Sequence, residues 1–223
     1  MSVKCIKDYI KNINIVIGCN IGCSYCYARM NNNRFHTIDN FNNPVFFENK
    51  LKMLDNKRHI AYLLTGQSDL SGWNEEWKDK VFSKMKENKD TQYIFLTKRP
   101  ENINLKETPD NGWFGVTVTS SKEKHRIDDL RNNIKAKHYH VTFEPMFDDV
   151  GELDLTDISW VVIGTETGNR KGKVDSKKEW VFNIYNQCKK QGIPVFMKED
   201  LLGIINENEM IQEFPKEFLN NEE

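Results

Sequence analysis

The chain has 223 residues, enough for one domain with a sizeable core and too few for a barrel plus a large accessory domain. Its 32 basic and 33 acidic residues leave a formal net charge of -1, so bulk electrostatics give no reason to expect a nucleic-acid or anionic-membrane partner, although a local basic patch remains compatible with it. No apolar stretch approaches the ~20 residues that cross a bilayer, and Met1-Ser2-Val3-Lys4-Cys5-Ile6-Lys7-Asp8 lacks the apolar segment and small-residue cleavage site of a signal peptide, which predicts a cytoplasmic protein.

The first apolar run, Ile13–Ile17, reads as a strand and is followed at once by Cys19-Asn20-Ile21-Gly22-Cys23-Ser24-Tyr25-Cys26. Further buried-strand runs are Ile60–Leu64, Tyr93–Leu96, Phe114–Val118, Tyr139–Phe143, Trp160–Ile163 and Pro194–Met197. Between them lie amphipathic stretches. In Glu75–Asn88, Trp77, Val81, Phe82 and Met85 share a face; in Lys177–Gln191, Trp180, Val181, Ile184, Tyr185 and Cys188 do. Continuous apolar strands alternating with helical crossovers predict an α/β fold, a full or partial (β/α) barrel of about six to seven parallel strands. Residues 1–223 read as a single domain, with the first strand and cysteine loop over 12–30. From about residue 203 the chain is acidic and less periodic, which predicts a short helix and a frayed tail.

The three loop cysteines, spaced three residues and then two, can wrap three corners of a cubane iron–sulfur cluster. A cubane has four irons, so three thiolates leave one open for a substrate or cofactor. The competing reading is a structural zinc with His36 as fourth ligand, but zinc sites usually join two cysteine pairs and no second pair is present. Five cysteines are too few, and odd in number, for a disulfide framework. Cys5 has no partner at a useful spacing, and Cys188 falls on an apolar helix face as a buried small hydrophobe, so no second cluster is expected.

Ligands of parallel βα sheets bind at the carboxyl ends of the strands. There the sequence places the cysteine loop, Thr65-Gly66-Gln67-Ser68-Asp69, Thr97-Lys98-Arg99-Pro100, Thr119-Ser120 with Arg126 further on, Glu144-Pro145, Gly164-Thr165-Glu166-Thr167-Gly168 and Lys198-Glu199-Asp200. Glu144 and Glu166 face a choice between a cationic or hydroxylated substrate and burial beside Lys98, Arg126 or Lys198. An unpaired deep carboxylate carries a heavy desolvation cost, which makes pairing the default.

The cysteine spacing with an aromatic before the third resembles the radical S-adenosylmethionine (SAM) superfamily. That resemblance implies a 4Fe-4S cluster on Cys19, Cys23 and Cys26, SAM on the open iron, and reductive cleavage of SAM to a 5′-deoxyadenosyl radical that abstracts hydrogen from a substrate. It further implies main-chain contact of Tyr25 with adenine and an ammonium-binding turn at Gly66, Gln67, Ser68 and Asp69. Lys98 becomes the partner of the SAM carboxylate, and Gly164 with Glu166 part of the strand against adenine. Tyr27, Thr119, Arg126 and Lys198 complete the candidate cofactor contacts, and Lys98, Glu144 and Glu166 are the candidate catalytic groups. The turn departs from the superfamily's paired glycines followed by glutamate. Cys26-Tyr27-Ala28, Thr65–Leu70, Leu96–Glu101, Trp113–Val116, Phe143-Glu144-Pro145, Trp160–Gly168 and Gln187–Lys198 also resemble a phage- and mobile-element-associated three-cysteine family of unknown function, and the radical SAM proteins encoded as a mobile pair.

Such an enzyme needs an electron donor such as flavodoxin or ferredoxin, and the paired family implies a second radical SAM or other partner protein. A barrel with an open side favours a large substrate: a peptide, a nucleic acid or a protein. The alternative from another class is a non-catalytic iron–sulfur or zinc-binding sensor or accessory protein.

Overall fold

The computed structural model describes residues 2–219. In chain order the elements are helix α1 (Ile6–Tyr9), strands β1 (Ile10–Asn12) and β2 (Val16–Ile17), helix α2 (Tyr27–Phe35), β3 (Val45–Phe46), a 3-10 segment over Glu48–Asp55, β4 (Ala61–Leu63), α3 (Glu75–Glu87), β5 (Gln92–Thr97) and β6 (Gly112–Thr117). They continue with α4 (Arg126–Asn133), β7 (His138–Phe143), β8 (Ile158–Ile163), α5 (Lys178–Lys190) and β9 (Val195–Met197). Seven strands pair in parallel in the order β1-β4-β5-β6-β7-β8-β9, and the sheet curls into a half-barrel of the radical SAM-like, partial type.

The convex face packs on the helices. Tyr93 and Phe95 meet Val81, Phe82 and Met85 of α3, with Phe95 stacked on Phe114 at 4.9 Å. Helix α3 starts where Asn74 accepts a hydrogen bond from the Trp77 amide at 2.9 Å; Glu75 and Glu76 in its first turn and Lys84 and Lys86 in its last complement the helix dipole. Cys188 is fully buried among the α5 contacts, as its face predicts. Strands β6 and β7 are buried along their whole length, which is why their sequences read as continuous apolar runs.

The first strand is not Ile13–Ile17. The ladder to β4 runs over Ile10, Lys11 and Asn12 and closes with the Ile13 amide donating to Leu63 O at 3.0 Å. The Ile15 amide then donates to Ile13 O, a three-residue turn at Asn14 that sends Val16–Ile17 into antiparallel pairing with β3. Ile13, Ile15 and Val16 are apolar because they fill the convex-side core, not because they belong to the parallel ladder.

Over residues 203–219 the tail is packed rather than frayed; residues 220–223 lie outside the described residues. It returns along the free edge of β9, where Met197 N donates to Ile211 O at 2.7 Å and Glu213 N to Val195 O at 2.8 Å. Phe214 and Phe218 then enter the amino-terminal end of the concave face, where Trp113, Trp160 and Phe196 converge, and Trp160 Nε1 donates to Glu213 O at 3.1 Å. Cys5, which has no cysteine partner, donates through Sγ to Glu199 Oε1 at 3.0 Å.

Above that aromatic layer His140 lies across Gly115, its neighbour in register, in space that any Cβ at 115 would occupy. His140 Nε2 donates to Phe95 O at 3.0 Å, and burial lowers the imidazole pKa to about 4.

Two measurements check these points. Phe218→Ala should lower unfolding free energy by about 3–5 kcal/mol in denaturant titration, the range for emptying a buried aromatic site; a frayed tail would show no loss. Because His140 binds its proton less readily folded than unfolded, stability should fall as pH drops from 6.5 through about 4, by about 3 kcal/mol from this group. His140→Asn should flatten that part of the stability–pH curve relative to the parent.

Candidate functional site

The cysteine loop is seated by backbone geometry. Gly18 has φ +115° and a Cβ there would stand 2.8 Å from Pro44 Cα, so only glycine fits the exit from β2. Gly18 N donates to Gln67 O at 2.9 Å and Cys19 N to Phe41 O at 2.6 Å, fixing the loop between the turn after β4 and the segment before β3. Arg29 closes the loop by donating from Nη2 to Cys19 O at 2.8 Å, with its guanidinium 5.0 Å from the Phe41 ring.

All three thiols are half-buried and free. Cys19 Sγ accepts from Ile21 N at 3.5 Å; Cys26 is the N-cap of α2 and its Sγ accepts from Arg29 N at 3.4 Å. Burial pushes the Cys19 thiol up to about 11, and the neighbouring Asp69, Cys23 and Cys26 push the same way, against the Ile21 amide. A bound metal centre reverses this logic, since its positive charge favours the thiolate. Among the described residues no three His, Cys, Asp or Glu side chains are gathered to ligate one ion. The ligands of a cubane each take a different iron and stand further apart than the ligands of one zinc. His36 occupies the left-handed C-cap of α2 and is exposed beside Arg29, Asn32 and Asp39.

Tyr25 turns its ring edge onto Phe147 at 5.4 Å, with Lys98 Nζ 5.7 Å from the ring centre. Burial, with Cys23 beside it, raises the phenol well above its ordinary pKa. Tyr27 donates from its hydroxyl to Gly66 O at 2.5 Å, tying α2 to the turn after β4. In that turn Ser68 Oγ accepts from Trp73 Nε1 at 3.0 Å. Asp69 is a bracing residue: Oδ1 accepts from Ser71 N, Ser71 Oγ and Thr97 Oγ1, and Oδ2 from Lys98 N at 2.8 Å. Those bonds fix the start of the Lys98 loop.

The carboxyl ends of β7, β8 and β9 bring Glu144, Gly164 and Lys198 together. Lys198 pairs with Glu144 and, at 3.2 Å, with Asp200. Burial alone would discharge the ammonium, yet the two carboxylates outweigh it and hold its pKa above the ordinary lysine value. Burial raises the Glu144 carboxyl, against the attraction of Lys198. Gly164 makes room for this pair, since a Cβ there would lie 3.0 Å from Glu144 Cδ and 3.1 Å from Lys198 Cδ.

The remaining strand-end groups close on themselves. Glu166 takes a two-pronged ion pair from Arg170, Nε at 2.5 Å and Nη2 at 2.8 Å, which lowers its pKa. Its partner is therefore none of Lys98, Arg126 and Lys198. Thr119 donates from N and Oγ1 to Glu123 Oε2, Arg126 pairs with Glu123 Oε1 at 2.9 Å, and Arg126 Nη1 caps Thr117 O. Lys98, unlike Arg126 and Lys198, forms no ion pair among the described residues. Sequence reasoning missed Arg170 and Glu123, and placed Asp200 at the strand end without its pairing to Lys198. Glu123 and Arg126 at a three-residue spacing, and Glu166 and Arg170 at four, were the available signals.

Gly164→Ala should force Glu144 and Lys198 apart and cost about 1–3 kcal/mol of stability in denaturant titration. Gly203→Ala, where a Cβ meets nothing within 4 Å, should stay within about 0.5 kcal/mol of the parent.

No curated protein and no solved structure matches the chain. The profile of a family described as "Protein of unknown function (DUF5131)" matches residues 6–217, a span that includes the cysteine loop and every strand of the half-barrel. The chain belongs to the DUF5131 family.

Proposed function

We propose that the chain is a radical SAM enzyme whose cluster ligands are Cys19, Cys23 and Cys26. The observation that carries this reading is the placement of three free thiols on one tethered loop at the carboxyl-end mouth of a parallel half-barrel. When bound, a reduced 4Fe-4S cluster with SAM on its open iron supplies a 5′-deoxyadenosyl radical for hydrogen abstraction.

The chain's own groups have divided tasks. The Ile21 and Arg29 amides that point at Cys19 and Cys26 sulfur stabilise thiolate charge. Lys98, held by the Asp69 brace and free of an ion pair, is the cation suited to a carboxylate ligand. Gly164 lets the Glu144–Lys198 pair lie close against β8, and Tyr25 and Tyr27 wall the cysteine side. The Glu144–Lys198–Asp200 group places fixed charge on the lumen side of the mouth, where a substrate's polar atoms would be oriented. Glu166, neutralised by Arg170, positions its loop rather than reacting. A reductant of the flavodoxin or ferredoxin type supplies the electron.

Anaerobic reconstitution with iron and sulfide, reduction in the presence of SAM, and assay for 5′-deoxyadenosine tests the reading. Product is expected from the parent chain. Cys23→Ala should lose cluster and product while circular dichroism and unfolding stay near the parent, because Cys23 lies outside the core. A well-reconstituted cluster that yields no nucleoside, or full iron retention in Cys23→Ala, would overturn it.

A further inference from the structure

We propose that the open β1 edge of the half-barrel carries a binding site for the phosphate group of a nucleotide, free or within a nucleic-acid strand. This inference does not rest on the radical SAM reading. A cavity of about 470 Å³ lies between edge strand β1, the Glu48–Asp55 segment and the entry to β4, and its walls include Lys11, Lys52, Asn56, His59 and Tyr62. That volume falls in the range of small-ligand sites. Among the described residues no strand pairs with the outer side of β1, so the cavity sits at the open flank of the sheet.

Charge selects the ligand class. Lys11, Lys52, Lys57 and Arg58 form no ion pair among the described residues. Of the carboxylates of this region, Asp55 pairs with Lys84 at 3.0 Å and Glu48 with Lys80 at 3.0 Å, lysines that also meet Glu87 and Glu76 of α3. With those four unpaired cations set against shared pairs, the flank carries a cationic surplus although the chain as a whole is close to neutral. Asn56 uses its Oδ1 to accept from Arg58 N at 2.9 Å, which leaves its Nδ2 to donate. Several donors and positive charges around one hollow suit a multiply charged oxyanion better than a single carboxylate.

A second, independent observation points to an occupant. Tyr62 is 2% exposed, and its hydroxyl oxygen lies against the backbone N–H groups of Arg58 and His59, which leaves its proton without an acceptor among the described residues. Native proteins rarely leave a buried hydroxyl unpaired, and a ligand oxygen beside the loop would satisfy it. The His59 ring stands edge-on to Tyr62 at 5.8 Å, at the cavity wall.

The full chain is titrated with inorganic phosphate, with adenosine monophosphate and with a short single-stranded oligonucleotide, read by calorimetry and fluorescence anisotropy. Saturable binding of at least one probe is expected. The double variant Lys11→Gln with Lys52→Gln should weaken it about tenfold or more, the scale of losing charged hydrogen bonds. Tyr62→Phe, which removes only the unpaired hydroxyl, should weaken it while leaving unfolding unchanged. Lys106→Gln, elsewhere on the surface, should leave affinity unchanged. Comparable affinity for the mononucleotide and the oligonucleotide would mark a free nucleotide as the source, and much tighter, steeply salt-dependent oligonucleotide binding a strand backbone. Absence of binding by all three probes, parental affinity in the double lysine variant, or an equal loss in Lys106→Gln would overturn the proposal.

Discussion

A parallel sheet must be covered on both faces, and a half-barrel has too few strands to close its concave face on itself. Here the amino-terminal half of that face is filled by aromatic side chains from the sheet and from the returning tail, with Phe214 and Phe218 set against Trp113, Trp160 and Phe196. The apolar filling stops at the layer of His140 and Gly115. Beyond it, towards the carboxyl ends, the concave residues turn polar. This division sets an apolar floor beneath the strand ends that carry Lys98, Glu144 and Lys198.

Electrostatics at the mouth are mostly settled within the chain. Glu166 answers to Arg170, Glu123 to Arg126 and Thr119, and Lys198 to Glu144 and Asp200. Pairing of this kind avoids the desolvation cost of isolated charge and makes the walls rigid. The same accounting isolates Lys98, whose nearest neighbour of note is the Tyr25 ring beside the cysteines. Lys98 is thus an ammonium without an ion pair beside walls whose charges are engaged with one another.

Much of this was legible in the sequence. Six of the seven parallel strands were marked by runs that read as apolar because both faces are covered, and Cys19, Cys23 and Cys26 announced themselves by spacing. The first strand was misplaced because Ile13, Ile15 and Val16 are buried by side-chain packing, which a hydrophobic run cannot distinguish from ladder pairing. The tail was misread because its acidic composition hid Phe214 and Phe218, whose four-residue spacing was the usable signal. Among the strand-end groups, sequence gave position but not partner. Asp69 looked like a ligand-facing acid, yet its oxygens serve Ser71, Thr97 and Lys98, bonds that only the return of the chain between β4 and β5 creates.

The half-barrel has two outermost strands, and they are protected by different means. The backbone of β9 is occupied by residues 211–213, whereas β1 has no such cover and carries Lys11 at its centre. Bare strands recruit other chains, and a lysine on the rim discourages that by repulsion and hydration. The carboxyl-terminal segment thus acts as a cap against self-association as well as a floor for the lumen. A chain cut before residue 211 would present unsatisfied amides and carbonyls along β9, the template from which intermolecular sheets grow.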